Sequence, residues 1–219
     1  MGEPLDLYCE RVGPGLFGEP FNAISNLAFF LAAAWVWHRS SGERRDGAVV
    51  LLAALIALIG IGSTLFHAFA DTVTHRLDTM PILVFQLAYL WLYVRRALGL
   101  GPGGAALCVL AFLTVGLYAQ RYPGPLNGSL TYAPALLVLL VLGILHSQRV
   151  VAHQGALLVA GGILFVSLFI RTIDLRVCDF VPMGTHFLWH LLNAVVLALC
   201  AGALPSTFLE RRSFDRLAK

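Results

Sequence analysis

The chain has 219 residues, of which 58% are apolar and 12% are charged, and its formal net charge is +3. Soluble domains carry about 25% charged residues, so this composition excludes a water-soluble globular fold. The basic residues stand in ones and twos between apolar runs, which argues against a nucleic-acid partner.

Seven apolar stretches follow one another along the chain, and each approaches the roughly 20 residues that a transmembrane helix needs. The connections between them are short and hold glycine, proline and asparagine. This pattern predicts an all-α membrane protein, a seven-transmembrane helix bundle forming a single domain over residues 1–219. The predicted spans are Phe21–Trp37, Ala48–Ala68, Leu77–Leu98, Gly104–Gln120, Leu130–His146, Gln154–Ile173 and His186–Leu204.

The basic residues of the connections predict the orientation. Ten lie on one side of the predicted bundle and five on the other. The positive-inside rule places the richer side in the cytoplasm. Residues 1–20 then form an outer N-terminal segment, and residues 205–219 form a cytoplasmic tail.

Four ionisable side chains lie at or within the ends of predicted spans. Charge is costly there, so such residues favour a functional hypothesis. The predicted topology puts all four near the outer membrane face: His67 ends the second span, Asp78 begins the third, and His186 and His190 begin the seventh.

The spacing of these residues favours a metal site. His186 and His190 are four residues apart and share one helix face, as in helical zinc motifs. His67 supplies a third imidazole, and three protein ligands with one open position are typical of catalytic zinc. Ser63 lies on the same face as His67, four residues earlier. Asp78 is placed to accept a proton from a metal-bound water and pass it to a leaving group.

Other interpretations of the same residues stay open. A lone histidine at a helix end is usually interfacial or hydrogen-bonded to a neighbour, so only the group supports a site. A receptor-like or scaffold protein with a structural zinc would bind metal without turnover. A haem-binding electron carrier and a proton-coupled transporter also use buried histidines, although the chain has no paired interrupted helices that would support a transporter.

Several strings of residues resemble the alkaline ceramidase family, within the superfamily of seven-helix membrane hydrolases that includes the adiponectin receptors. The resemblance covers nearly the whole chain, and it includes the eleven-residue step from His67 to Asp78. The strings are Tyr8-Cys9-Glu10, Glu19-Pro20-Phe21-Asn22-Ala23-Ile24-Ser25-Asn26-Leu27, Gly60-Ile61-Gly62-Ser63-Thr64-Leu65-Phe66-His67, Leu77-Asp78-Thr79-Met80-Pro81 and Gly184-Thr185-His186-Phe187-Leu188-Trp189-His190.

The resemblance implies a zinc amidase that cleaves ceramide or a related N-acyl membrane lipid to a fatty acid and an amine. It implies that His67, His186 and His190 bind Zn²⁺, that Asp78 holds the water, and that Ser63 helps to stabilise the oxyanion. The compact chain is similar to bacterial members of the family. We therefore expect it in a bacterial inner membrane, with the active site near the outer leaflet.

The family also has a calcium site near the N-terminus, which Tyr8, Glu10 and Glu19 match here. Two side-chain ligands of the family's pattern are missing or displaced, and calcium needs six to eight oxygens. The competing expectation is that Glu10 and Glu19 pair with Arg11 or with a loop arginine.

Two further links are expected at the predicted outer side. Cys9 and Cys178 both map there, where an oxidising compartment would allow a disulfide, and the family is similar in having such a bridge. Arg171 and Asp174, at the end of the sixth span, are expected to form an ion pair.

Overall fold

The computed structural model describes residues 3–13, 15, 17–40, 46–122, 124–150 and 153–205. Apart from an isolated bridge between Pro4 and Asp71, the regular structure of these residues is helical. The helices are α1 (Pro20–Ser25), α2 (Leu27–Arg39), α3 (Gly47–Phe69), α4 (Thr72–Arg96), α5 (Pro102–Gln120), α6 (Ala133–Arg149), α7 (Ala156–Ile173) and α8 (His186–Gly202), with 3₁₀ helices at Pro125–Tyr132 and Asp174–Arg176.

Six helical segments of the described chain are long and apolar enough to cross a membrane, so the protein is an integral, multi-pass membrane helix bundle. They are Pro20–Arg39, Gly47–Phe69, Thr72–Arg96, Pro102–Gln120, Pro125–Arg149 and Ala156–Arg176. The seventh predicted span corresponds to α8, which is apolar but has only 17 residues. The orientation stays a prediction, because Arg44, Arg45 and the basic residues of the tail lie outside the described residues.

Local sequence explains where the helices begin. Asp46 caps α3 by accepting a hydrogen bond from the backbone N–H of Ala48 at 2.9 Å. Asp71 and Thr74 form a capping box at the start of α4. Between these helices Ala70 adopts a left-handed conformation with φ of 45°, which ends α3 and reverses the chain. This tight connection brings His67, near the end of α3, beside the first turns of α4.

Gly62 and Pro81 explain how closely α3 and α4 approach each other. Pro81 has no N–H, so the carbonyl of Leu77, four residues earlier, lacks its usual helical partner. A Cβ added at Gly62 would overlap this carbonyl oxygen. Glycine therefore allows α4 to lie against α3 here, one residue from Ser63 on α3 and one residue from Asp78 on α4.

The interior of the bundle is apolar, and α3 packs against α2, α4 and α8 within it. Leu52, Ile56 and Ile59 of α3 are fully buried. The outward faces of the helices leave many leucine, valine and phenylalanine side chains exposed. Such a surface suits a lipid environment. In the interior, α3 and α8, which carry the predicted histidines, contact each other.

Candidate metal centre and active site

The structure brings three histidines together from two helices. His67 lies near the end of α3, while His186 and His190 occupy the first turns of α8. All three are buried, and one ligand nitrogen from each lies within 4.8 Å of the others. The Nε2 atoms of His67 and His190 are 3.2 Å apart. This is the trio predicted from the sequence.

Glu19 fixes the tautomer of His67. Its carboxylate accepts a hydrogen bond from His67 Nδ1 at 2.5 Å and another from Asn22 Nδ2 at 2.9 Å. Burial alone would raise the pKa of Glu19. The hydrogen bonds from His67 and Asn22 and the charge of Arg11 outweigh that effect, so the pKa lies below its ordinary value. An ionised carboxylate only accepts, so Nδ1 carries the proton and Nε2 keeps its lone pair.

Ser25 fixes the tautomer of His190. Its hydroxyl donates to the Asn22 carbonyl at 2.9 Å, so its oxygen accepts from His190 Nδ1 at 2.7 Å. The Nε2 of His190 then carries a lone pair that faces the lone pair of His67 Nε2. Two such buried acceptors repel each other, and a bound cation would relieve that repulsion.

His186 is held from two sides. The ring of Tyr8 stacks on it, with centroids 3.6 Å apart and planes at 16°. Asp174 accepts from the backbone N–H groups of Thr185 at 2.6 Å and His186 at 3.0 Å, and so caps the start of α8. The Nδ1 atom of His186 is buried and has no hydrogen-bond partner in the described part of the chain.

The three histidines fit a transition-metal ion. Tetrahedral zinc with Zn–N bonds of about 2.0–2.1 Å spaces its ligand nitrogens about 3.3 Å apart, close to the 3.2 Å between His67 and His190. Hydrogen bonds from the second ring nitrogen to a carboxylate or another acceptor are typical of metal-binding histidines. A set of neutral imidazoles suits zinc and neighbouring metals better than calcium or magnesium.

Ser63 and Asp78 lie beside the three histidines. Ser63 is buried, with its hydroxyl oxygen 3.4 Å from His190 Nε2. The Asp78 carboxylate interacts with the Ser63 hydroxyl and lies within electrostatic range of His67 and His75. All five residues singled out from the sequence therefore meet at one end of the bundle, with a carboxylate and a hydroxyl next to the candidate metal ligands.

Comparison with known protein families decides how this geometry is understood. The family model described as Ceramidase matches residues 8–204. The chain belongs to the ceramidase family. Membership implies a hydrolase that acts on amide bonds of lipids, and it agrees with the resemblance in the short motifs. No curated protein matches the chain.

The carboxylates expected at the family's calcium site are engaged with protein donors in this ceramidase-family member. Glu10 accepts from the backbone N–H groups of Phe21 at 2.6 Å and Asn22 at 2.8 Å at the start of α1. Burial raises the pKa of Glu10, and those two N–H groups act against the rise. Glu19 pairs with Arg11, which was the competing expectation. Calcium stays a prediction.

The structure gives different outcomes for the two links expected at this end of the bundle. The disulfide expected between Cys9 and Cys178 is formed, with Cα atoms 5.3 Å apart. The ion pair expected between Arg171 and Asp174 is not formed. Asp174 accepts from backbone N–H groups at the start of α8 instead, while Arg171 donates to the Asn127 carbonyl at 2.6 Å. The two residues lie three apart in sequence, but the chain passes from α7 into a 3₁₀ turn between them and their side chains diverge.

Two residues that position the histidines lay within a motif already noticed. Asn22 and Ser25 belong to the string from Glu19 to Leu27 that carries the family resemblance. This string was the available sequence signal, but nothing in its spacing linked it to His67 or His190. The contacts with the histidines depend on how α1 packs against α3 and α8.

Replacing Glu19 by glutamine should weaken metal binding about 10–100-fold without abolishing it, because the amide is a poorer acceptor for His67 Nδ1 than the carboxylate. Chelator competition, with metal content as the readout, measures the change. Glu10→Gln is the matched control, because Glu10 bonds backbone N–H groups and no histidine. Equal affinity in Glu19→Gln and wild type would show that Glu19 does not tune the site.

Proposed function

We propose that the protein is an intramembrane zinc-dependent hydrolase that cleaves the amide bond of ceramide or a related N-acyl lipid. The products are a fatty acid and an amine. The observation that carries this proposal is the convergence of three buried histidine nitrogens within 4.8 Å, inside a membrane helix bundle of the ceramidase family.

His67, His186 and His190 are the residues that would hold the metal, and Glu19 and Ser25 keep two of these imidazoles in the ligating tautomer. A zinc ion bound at this centre would supply Lewis acidity towards the amide carbonyl and would lower the pKa of water towards neutrality. The short hydrogen bonds behind His67 and His190 limit rotation of the rings, so the centre is organised before substrate binds.

Asp78 is proposed to move the proton. Hydrolysis adds water oxygen to the carbonyl carbon and breaks the C–N bond, and the departing nitrogen must gain a proton to leave as an amine. The Asp78 carboxylate accepts a proton from the attacking water and returns it to that nitrogen. Its interaction with Ser63 keeps it at the centre rather than free to rotate towards lipid.

Ser63 is proposed to stabilise the oxyanion. Its buried hydroxyl lies 3.4 Å from His190 Nε2, so a carbonyl oxygen positioned at the centre lies within its reach. The one hydroxyl hydrogen is donated to Asp78 while that carboxylate is ionised. Once Asp78 has taken up the proton of the attacking water, the hydroxyl turns to donate to the oxyanion. A single donor of this kind contributes about 10²–10³-fold in kcat in enzymes that stabilise oxyanions.

An apolar cavity of about 90 Å³ beside the centre is proposed to hold part of a hydrocarbon chain. Its walls include Phe29, whose ring is 6.1 Å from that of His190, and Trp189, the residue before His190. The cavity continues along α8 as far as Cys200, away from the centre. A substrate amide at the histidines would therefore direct one tail into the bundle interior.

The membrane arrangement is part of the proposal. α8 measures about 25 Å at 1.5 Å per residue, somewhat less than a bilayer core of about 30 Å, and we propose that it makes the seventh crossing. The N-terminus then lies outside and the C-terminus in the cytoplasm, in one domain. The disulfide between Cys9 and Cys178 supports an oxidising environment at the end that carries the centre. A bacterial inner membrane with the active site near the outer leaflet satisfies these conditions.

Detergent-purified protein is expected to contain about one zinc ion per chain by elemental mass spectrometry, and to release fatty acid from ceramide or another N-acyl lipid. Removing the metal with a chelator should abolish release, and adding zinc back should restore it. Metal bound without turnover on any N-acyl lipid would indicate a structural zinc in a receptor-like or scaffold protein. Protein without zinc after gentle purification would contradict the proposal.

A further inference from the structure

A second, larger cavity of about 640 Å³ lies at the same end of the bundle as the histidines. It is bounded by α4, α5, the 3₁₀ segment Pro125–Tyr132 and the N-terminal residues Leu5, Leu7 and Tyr8. Tyr8 links it to the centre, because the same ring stacks on His186. Ile82, Gln86, Phe112 and Tyr132 line this cavity and the apolar one, so the two adjoin.

In the part of the chain that the structure describes, the ionisable groups that line this cavity include arginines but no carboxylates. Its lining includes two arginines, Arg76 and Arg171, together with His75, and among the described lining residues there is no aspartate or glutamate. Asp78 interacts electrostatically with His75 and Arg171 from outside the lining. A cavity of this kind attracts an anion, and its apolar walls strengthen the attraction because they exclude water.

Hydrogen bonds and aromatic rings hold the Arg171 guanidinium in one position. It donates to the Asn127 carbonyl at 2.6 Å and to Ser129 Oγ at 3.1 Å. Its guanidinium lies 5.5 Å from the ring centre of Tyr132 and 5.6 Å from that of Trp189. Cations within a membrane bundle are costly and mark functional positions by default. The guanidinium also interacts with the Tyr8 hydroxyl, and the N–H groups that remain suit carboxylate or phosphate oxygens.

Arg171 is also close enough to the centre to act on the same ligand. It lies within electrostatic range of His186, His190 and Asp78. We propose that the larger cavity binds an anionic group, a carboxylate or phosphate, on the amine side of the substrate. This inference rests on the proposed function and narrows its substrate class from N-acyl lipids in general to acidic ones, such as N-acyl amino acids. The acyl tail lies in the apolar cavity, the amide at the histidines and the anion at Arg171.

The test compares two ligands that differ in one charge, N-oleoylglycine and its neutral amide N-oleoylglycinamide. Binding to detergent-solubilised protein is measured by ligand-induced thermal shift, with and without chelator, and hydrolysis is measured in parallel. Wild type should bind the acid at least about tenfold more tightly than the amide, and chelator should leave that preference in place. Hydrolysis should show the same preference through KM.

Three substitutions test whether the preference for the acid over the amide comes from the cavity. Arg171→Gln and Arg76→Gln should each reduce the preference, and Arg171→Lys should keep part of it, since it keeps the charge but not the fork. Arg121→Gln is the matched control, because Arg121 is an exposed arginine at the end of α5 outside the cavity lining. If Arg171→Gln fails to fold, Arg76→Gln decides, because the Arg76 side chain is exposed.

Three results would overturn the inference: equal binding of acid and amide by wild type, a preference that vanishes when chelator removes the metal, or a preference unchanged in both glutamine variants. Competition by an anionic phospholipid as strong as by N-oleoylglycine would assign the cavity to ordinary membrane head groups, against the substrate role. Hydrolysis of ceramide but of neither glycine lipid would refute the acidic substrate class and leave the hydrolase standing. An acid preference in binding without hydrolysis of any N-acyl lipid, ceramide included, would refute the hydrolase and leave the anion site standing.

Discussion

Replacing His190 by alanine is expected to remove both the bound metal and the hydrolytic activity. His190 Nε2 lies 3.2 Å from His67 Nε2, and its Nδ1 is held by Ser25, so the variant loses one of the three proposed ligands. Two imidazoles on different helices hold zinc far more weakly than three. We expect metal content near zero and activity lower by at least about 10³-fold. His186→Ala should behave in the same way.

The control for this prediction is His146→Ala. His146 is also fully buried, but it lies near the end of α6, bonds the Tyr93 hydroxyl of α4 at 2.9 Å and is not one of the three clustered histidines. Both variants lose a buried imidazole, so their losses of thermal stability are comparable, while only His190→Ala should lose the metal. Retention of about one zinc per chain in His190→Ala, or substantial hydrolysis by it, would refute the assigned ligand set.

Replacing Asp78 by asparagine should leave the metal in place and lower kcat by about 10²–10⁴-fold. Asparagine has almost the same shape and can still accept a hydrogen bond from Ser63, but it cannot take up a proton from water. Metal content and kcat measured on the same preparation separate binding from proton transfer. Asp71→Asn serves as the control, because Asp71 lies at the start of the same helix and asparagine caps a helix as well as aspartate does.

Loss of the metal in Asp78→Asn would show that Asp78 is a ligand or orients one. Undiminished turnover would mean that another group carries the proton, and His75, which lies within electrostatic range of Asp78, would be the next candidate.

The sequence predicted the helices best where long apolar runs are bounded by clear caps. The span predicted over Ala48–Ala68 differs from α3 by one residue at each end. The start of α4 at Thr72, rather than Leu77, was missed because its first turns are polar, although Asp71 and Thr74 carry a capping box. Such a start has no apolar periodicity to reveal it.

The fifth predicted span shows a different limit. Its helix begins at Ala133, later than the predicted Leu130, because Leu126, Asn127 and Gly128 adopt left-handed conformations and a 3₁₀ segment runs to Tyr132. This bend carries Asn127 and Ser129 to Arg171. Local composition marked a turn there, but it did not specify where the chain would lead.

Composition and spacing by themselves determined that the protein is a membrane helix bundle, and they singled out the three histidines with Ser63 and Asp78. These properties depend on hydrophobic length and on the 3.6-residue helical repeat, both of which are local in the chain. Tertiary structure alone decided the contacts of Glu19 with His67, Ser25 with His190 and Asp174 with the start of α8. Tertiary structure also directs the Arg171 side chain away from Asp174, three residues later in the chain, and into the lining of the larger cavity. A hydrogen bond between residues 48 or 165 positions apart is set by the packing of whole helices, and no pattern within one segment encodes it.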